Sequence, residues 1–334
     1  MASSSTIQLL WTIAQQYTIY TALIIFIIGF VGNLLNILVF TKLKIFRNNQ
    51  CIFYLLIESI VDINAVIYNL IMRLLTVIYG SDLSQYSTPW CKLRTMMGQT
   101  YLLISLSTIC CAAIDQFLST SHLIHLRQKS TLHLARHLVI ISVCFSIVHS
   151  IGFGVFYNAK PFVDCLVSYQ VLVQYYSYFF YPILCGLLPI FISGSFGFLA
   201  YRNVRRIVRR QLPIVRRRLD HQLTKFVLVR VIFLIICLSP VCIFRIYTIN
   251  TITQPSNPLR MAIERLFQAF IGSMFNLHFA GNCCIFLVSS SRYRRQVKYV
   301  LIKEYWNSWK RKFHFNHHQV EPIAPPTVSS NELE

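Results

Sequence analysis

Apolar residues along this chain do not alternate with polar ones; they gather into long runs separated by short polar stretches. Seven runs reach the roughly 20 mostly apolar residues that a helix needs to cross the hydrocarbon core of a bilayer. They lie at about 18–41, 51–77, 90–121, 134–156, 174–201, 225–249 and 261–288. Pro182, Pro189 and Pro240 fall inside such runs and predict kinks, which membrane helices tolerate. After the seventh run, "SRYRRQVKYVLIKEYW" puts Tyr293, Val297, Val300 and Leu301 on one helical face and the bases on the other. That is the pattern of a helix lying on a membrane surface. No internal repeat is visible, so a transporter built from duplicated halves lacks its usual sequence mark.

Composition agrees with the runs. The chain is 55% hydrophobic and 13% charged, against about 25% charged in a soluble domain. The formal charge of +20 fits the sign of a nucleic-acid binder, but not the apolar runs, so no nucleic-acid partner is expected. Where the bases fall gives the orientation. Lys and Arg number three in 42–47, three in 121–136, nine in 202–225 and eight in 292–312. On the other side there are none in 1–19, one in 157–173 (Lys160) and one in 250–262 (Arg260). The expected organisation is an extracellular N-terminus (1–17), an all-α seven-transmembrane helix bundle (18–290), a short amphipathic helix on the membrane surface (291–309) and a disordered cytoplasmic tail (310–334). The opening "MASSSTIQLLWTIAQQ" lacks a basic n-region, so the first run reads as an anchor and not a cleaved signal peptide.

Catalytic and metal chemistry find little support. The eleven cysteines are scattered with no C-x-x-C pair. His122/His125 and His133/His137 have metal-like spacing, but only Asp115 is nearby as a further ligand, so no metal is expected there. A seven-helix intramembrane zinc hydrolase needs three His plus acids in the bundle, and only His149 and His278 lie within runs. No enzyme is expected.

Several residues in order resemble the anchors of the rhodopsin-like (class A) G-protein-coupled receptors. "GFVGNLLNILVF" carries the Gly-Asn pair of the first helix, with Asn33; "ESIVDINAV" puts Asp62 at the buried acid of the second. Cys91 and Cys165 match the extracellular disulfide, Pro189 the fifth-helix proline, "CLSP" with Pro240 the sixth-helix Cys-Trp-x-Pro, and "NCCIF" with Asn282 the seventh-helix Asn-Pro-x-x-Tyr. Cys91 and Asp115 are 24 residues apart, about 36 Å of helix, which sets the disulfide and "DQF" on opposite faces of the bilayer. The departures are as informative. Asp-Arg-Tyr is Asp115-Gln116-Phe117, the sixth-helix Trp is Leu238, the seventh-helix Pro and Tyr are Cys283 and Phe286, and the fourth run has no Trp. The profile resembles a divergent invertebrate orphan receptor, with a distant similarity to peptide (FMRFamide-type) receptors.

The resemblance implies an extracellular ligand, peptide-like by analogy, a heterotrimeric G protein inside, and a plasma-membrane location. It implies that Ser105 and Asn282 face Asp62, a set of hard oxygens that in the family holds an allosteric sodium ion; the other reading is a protonated Asp62 bonded to Asn33 and Asn282. No further cofactor is expected. Glu58, one turn before Asp62, departs from the family and has no assigned partner. Gln116 carries no charge, which removes the motif's ion pair and leaves Asp115 to pair with Arg127 or the basic connection. The readings are a weakly restrained receptor and a scaffold or scavenger that activates no G protein. Residues 202–218 carry eight Arg, suited to a G-protein platform, to anionic lipid, or only to fixing topology. In the ligand vestibule, family spacing puts Gly98 where amine receptors carry Asp, with Gln99 beside it, and Asn276 where opsins carry Lys. Arg73, Arg94, Arg245 and Arg265 lie near the outer helix ends. They read either as a basic vestibule for an acidic group or as side chains snorkelling to headgroups.

Overall fold

In a computed structural model of the chain, the residues described are 4–43, 49–79, 87–160, 164–167, 169–207, 214–251, 257–291 and 293–303. Seven spans follow the seven apolar runs. They are Ser4–Lys42, Gln50–Ile78, Thr88–Thr120, Leu132–Gly154, a fifth built from Gln170–Tyr175, Tyr176–Leu187 and Leu188–Ile207, then Ile214–Thr251, and a seventh in two pieces, Pro258–Ala280 and Asn282–Ser289. Six are single helices long and apolar enough to cross a membrane, and the two pieces of the last make a seventh. The first span starts at Ser4, well ahead of the predicted 18. Thr12 and Thr18 hydroxyls bond back to Gln8 and Ala14 carbonyls there, so polar residues continue a helix that hydropathy alone would have ended. The centre of the basic connection (208–213) and the expected tail (310–334) lie outside the described residues.

Span three is the hub, packing against spans two, four, five and six and the β-hairpin, while span one packs against two and seven. The hairpin pairs β1 (Tyr157–Lys160) with β2 (Asp164–Val167), antiparallel, Ala159 opposite Cys165. Side chains sort by direction. Span four buries Ala135, Val139, Ser146, His149 and Ser150 and turns Ile140, Ile141 and Val148 outward. Such apolar outer faces suit lipid and would be a liability in water. His149 of span four bonds the Tyr175 hydroxyl (2.7 Å) and stacks on Phe180. Of the amphipathic stretch after span seven, Tyr293, Val297 and Val300 bury against the bundle, while Leu301 is exposed.

Two irregularities shape the bundle. Span five widens to π-helical geometry over Tyr176–Leu187, with Pro182 inside; Pro has no N–H for the i−4 carbonyl, so the ladder relaxes around it. Span seven bends by 63° between its two pieces although the family's Pro is Cys283. The bend falls at Gly281, where a Cβ would stand 2.4 Å from Phe233 Cε1 of span six. Glycine is required there for close approach, and it supplies the break that proline would otherwise make.

Candidate functional site

At the disulfide end the spans part around a cavity of about 660 Å³. Cys91, at the start of span three, is bonded to Cys165 of β2, which holds the hairpin over the cavity. Arg73, Arg94, Arg245 and Arg265 all line it, as do Gly98, Gln99 and Asn276. The four arginines come from spans two, three, six and seven and share one space. Trp11 of span one lies 5.3 Å under the Arg265 guanidinium, a cation–π contact. A Cβ on Gly272 would stand 3.6 Å from Arg73 Nη2, an ordinary van der Waals contact. Gln99 Nε2 donates to the Tyr176 hydroxyl (3.1 Å). Leu238, at the position of the family's Trp, is buried and forms part of the cavity floor.

At mid-depth the polar residues gather. Asn33 Nδ2 donates to the carbonyls of Gly29 (2.9 Å) and Phe279 (3.0 Å), tying span one to span seven. Asn282 Nδ2 donates to Asp62 Oδ2 (2.6 Å), and Ser105 Oγ lies within hydrogen-bond distance of His278 Nε2 (3.1 Å). Asn33 bonds backbone and not Asp62, so the expected Asn33–Asp62 bond is replaced by a span-seven contact. One oxygen each of Asp62, Asn33 and Asn282 is buried without a partner. Free hard oxygens fit a small cation. Beside them stands a feature the family motifs did not forecast. Arg230 of span six donates through Nη2 to Glu58 Oε1 of span two (2.8 Å) and to the His278 carbonyl of span seven (3.0 Å). Both charged side chains are about 2% exposed or less.

The opposite end is closed. Asp115 Oδ1 accepts from Ser130 Oγ (2.7 Å), and among the described residues it makes no ion pair with Arg127, correcting that expectation: a serine at the start of the next span is nearer than any base. Gln116 is buried and donates to Thr224 Oγ1 of span six (2.9 Å). Phe117 packs on Phe196 of span five. Phe286 stacks on Phe226 of span six, centroids 3.5 Å apart, and on Tyr293, whose hydroxyl donates to Asn36 Oδ1 (2.5 Å).

Arg230 was not singled out by sequence, and Glu58 was left without a partner. The usable signal was two opposite charges at similar depth in apolar runs, since each is costly in the membrane without the other. Among the described residues no three of His, Cys, Asp and Glu gather as metal ligands. The family profile described as "7 transmembrane receptor (rhodopsin family)" matches residues 32–295. A search of curated proteins finds no match.

Proposed function

The chain belongs to the rhodopsin family of seven-transmembrane receptors, and we propose that it is a plasma-membrane receptor passing an extracellular ligand signal to a heterotrimeric G protein. The observation that carries this reading is a bundle open to a large cavity at the disulfide end and closed by side chains at the other. The charge asymmetry of the loops supports an N-terminus outside and a C-terminus inside. A cavity of about 660 Å³ suits a small molecule or the end of a peptide.

Leu238 and Val241 bring span six to the cavity floor, on either side of Pro240. A ligand pressing there acts on a helix already missing one backbone bond, so Pro240 serves as the pivot. The inner end of span six then parts from Gln116, Phe286 and the Glu58–Arg230 pair, opening a cleft beside Asp115, Gln116 and Phe117 for the G protein. The arginines of 202–218 would meet anionic inner-leaflet lipid as well. An allosteric sodium ion would be held by Asp62, Ser105 and Asn282, of which Asp62 and Asn282 each keep an unpartnered oxygen, with the Arg230 charge as its competitor.

A peptide and small-molecule screen in cells carrying promiscuous G proteins tests the reading. A second-messenger response dependent on the receptor is expected. Ligand binding with no response favours instead the scaffold or scavenger reading, which the uncharged Gln116 supports. A C-terminal tag stained in unpermeabilised cells overturns the orientation.

A further inference from the structure

Four arginines line the outer cavity; Arg73 and Arg94 have interactions of their own, whereas Arg245 and Arg265 face it with no Asp or Glu among its described lining residues. Glu264, near the same end, is engaged elsewhere, accepting from Arg260 Nε (2.8 Å) and from the Tyr247 hydroxyl (2.7 Å). Gathering like charges in a cleft with low-dielectric walls is unfavourable by itself and focuses a positive field into the cleft. Deeper in the same cavity, Gln99 Oε1 and Asn276 Oδ1 are buried acceptors without partners. Unpaired buried acceptors cost free energy unless a ligand donor meets them. The floor is apolar, formed by Leu102, Phe180, Leu238, Val241 and Phe275. A Cβ on Gly98 would meet nothing within 4 Å, so that position adds open space and no charge.

We infer that the ligand is an amphipathic organic anion: a carboxylate held by Arg245 and Arg265, a hydrogen-bond donor at the depth of Gln99 and Asn276, and an apolar body on the floor. This rests on the reading of the cavity as the ligand site. Guanidinium pairs with carboxylate through charge-assisted, often bidentate bonds. A peptide ligand would therefore present a free C-terminal carboxylate, and an amidated C-terminus would lose that contact.

The test uses purified receptor and thermal-shift titration with matched probes: aromatic carboxylic acids such as 3-phenylpropionate against their primary amides, and hydrophobic tripeptides with free against amidated C-termini. Acids in at least one arm raise Tm and their amides do not; the arm that responds separates small molecule from peptide. Arg245→Gln weakens the acid about tenfold, the loss of one charge-assisted bond. Gly98→Asp abolishes acid binding, while the neutral Gly98→Asn keeps it and controls for folding. Equal shifts from acids and amides, no shift from any probe, or an acid response indifferent to both substitutions overturns the inference. Because the readout needs no G protein, acid binding without cellular response would sink only the signalling reading.

A second inference rests on a different observation, the pair that fastens span six to spans two and seven. We propose that Glu58–Arg230 is the resting clasp of span six, supplying the restraint that Gln116 leaves uncharged. Spin labels at positions 50 and 225, on spans two and six, report it directly once the exposed Cys144 and Cys284 are replaced. Glu58→Gln lengthens the interspin distance in ligand-free receptor, and the exchange Glu58→Arg with Arg230→Glu restores it. A folded Glu58→Gln variant with unchanged distance overturns the proposal. If Glu58→Gln does not fold, Glu58→Asp, which shortens the acid and keeps its charge, decides by the same distance, and no lengthening there overturns it too.

Discussion

The two halves of the bundle treat charge in opposite ways. Toward the disulfide end, Arg245 and Arg265 face a cavity without an acid among its described lining residues. Toward the Asp115 end, one arginine is fully enclosed and fastened to a glutamate and a backbone carbonyl. The first arrangement leaves charge for a ligand to meet; the second holds its charge against a partner inside the bundle. A receptor needs both, a half that is incomplete until ligand arrives and a half that is complete until it does.

The contrast can be broken most severely at the enclosed pair. Arg230→Ala leaves Glu58 as an unpaired buried charge and should cost about 3–5 kcal/mol, read as a large fall in Tm of purified receptor. Replacing both partners by leucine should recover most of it, because an apolar pair of similar volume has no charge to desolvate. Next comes Cys165→Ser, which frees the hairpin over the cavity; removal of a native disulfide costs about 2–5 kcal/mol in small secreted domains. Here the loss should show first in ligand affinity and less in the melting of the spans. Thr224→Val removes the acceptor of Gln116 and should cost about 1 kcal/mol, with resting second-messenger output raised. Gln116→Arg puts a charge back beside Asp115, and resting output should fall; no change in resting or stimulated output would remove any restraining role from this position. Smallest in stability is Arg245→Ala, within about 0.5 kcal/mol as for an exposed side chain, yet it should weaken acidic probes. If Arg245→Ala proved as destabilising as Arg230→Ala, the contrast between the halves would be lost.

The spans were legible because a membrane allows few solutions: apolar length specifies the helix, and proline and basic loops locate kinks and connections. The start of span one was not legible, since Thr hydroxyls can satisfy a helix backbone without raising hydropathy. Asp62 and Asn282 could be matched by motif because their partners sit at fixed spacing within the family. Glu58 and Arg230 could not, because their pairing runs between spans distant in sequence and depends on helix rotation that no local pattern encodes. The four arginines stood between those cases. Their number and their end of the bundle were visible in sequence, but whether they turned to lipid or inward depends on the same rotations.

The bend at Gly281 has a meaning for variation in the gene. Its hydrogen is the seat of the Phe233 ring, and a methyl there would overlap it. An alanine there obliges the Phe233 ring to swing aside or the sixth span to give way, so a single methyl at the bend is transmitted to the neighbouring helix; surface staining beside resting output tells which adjustment a variant has made.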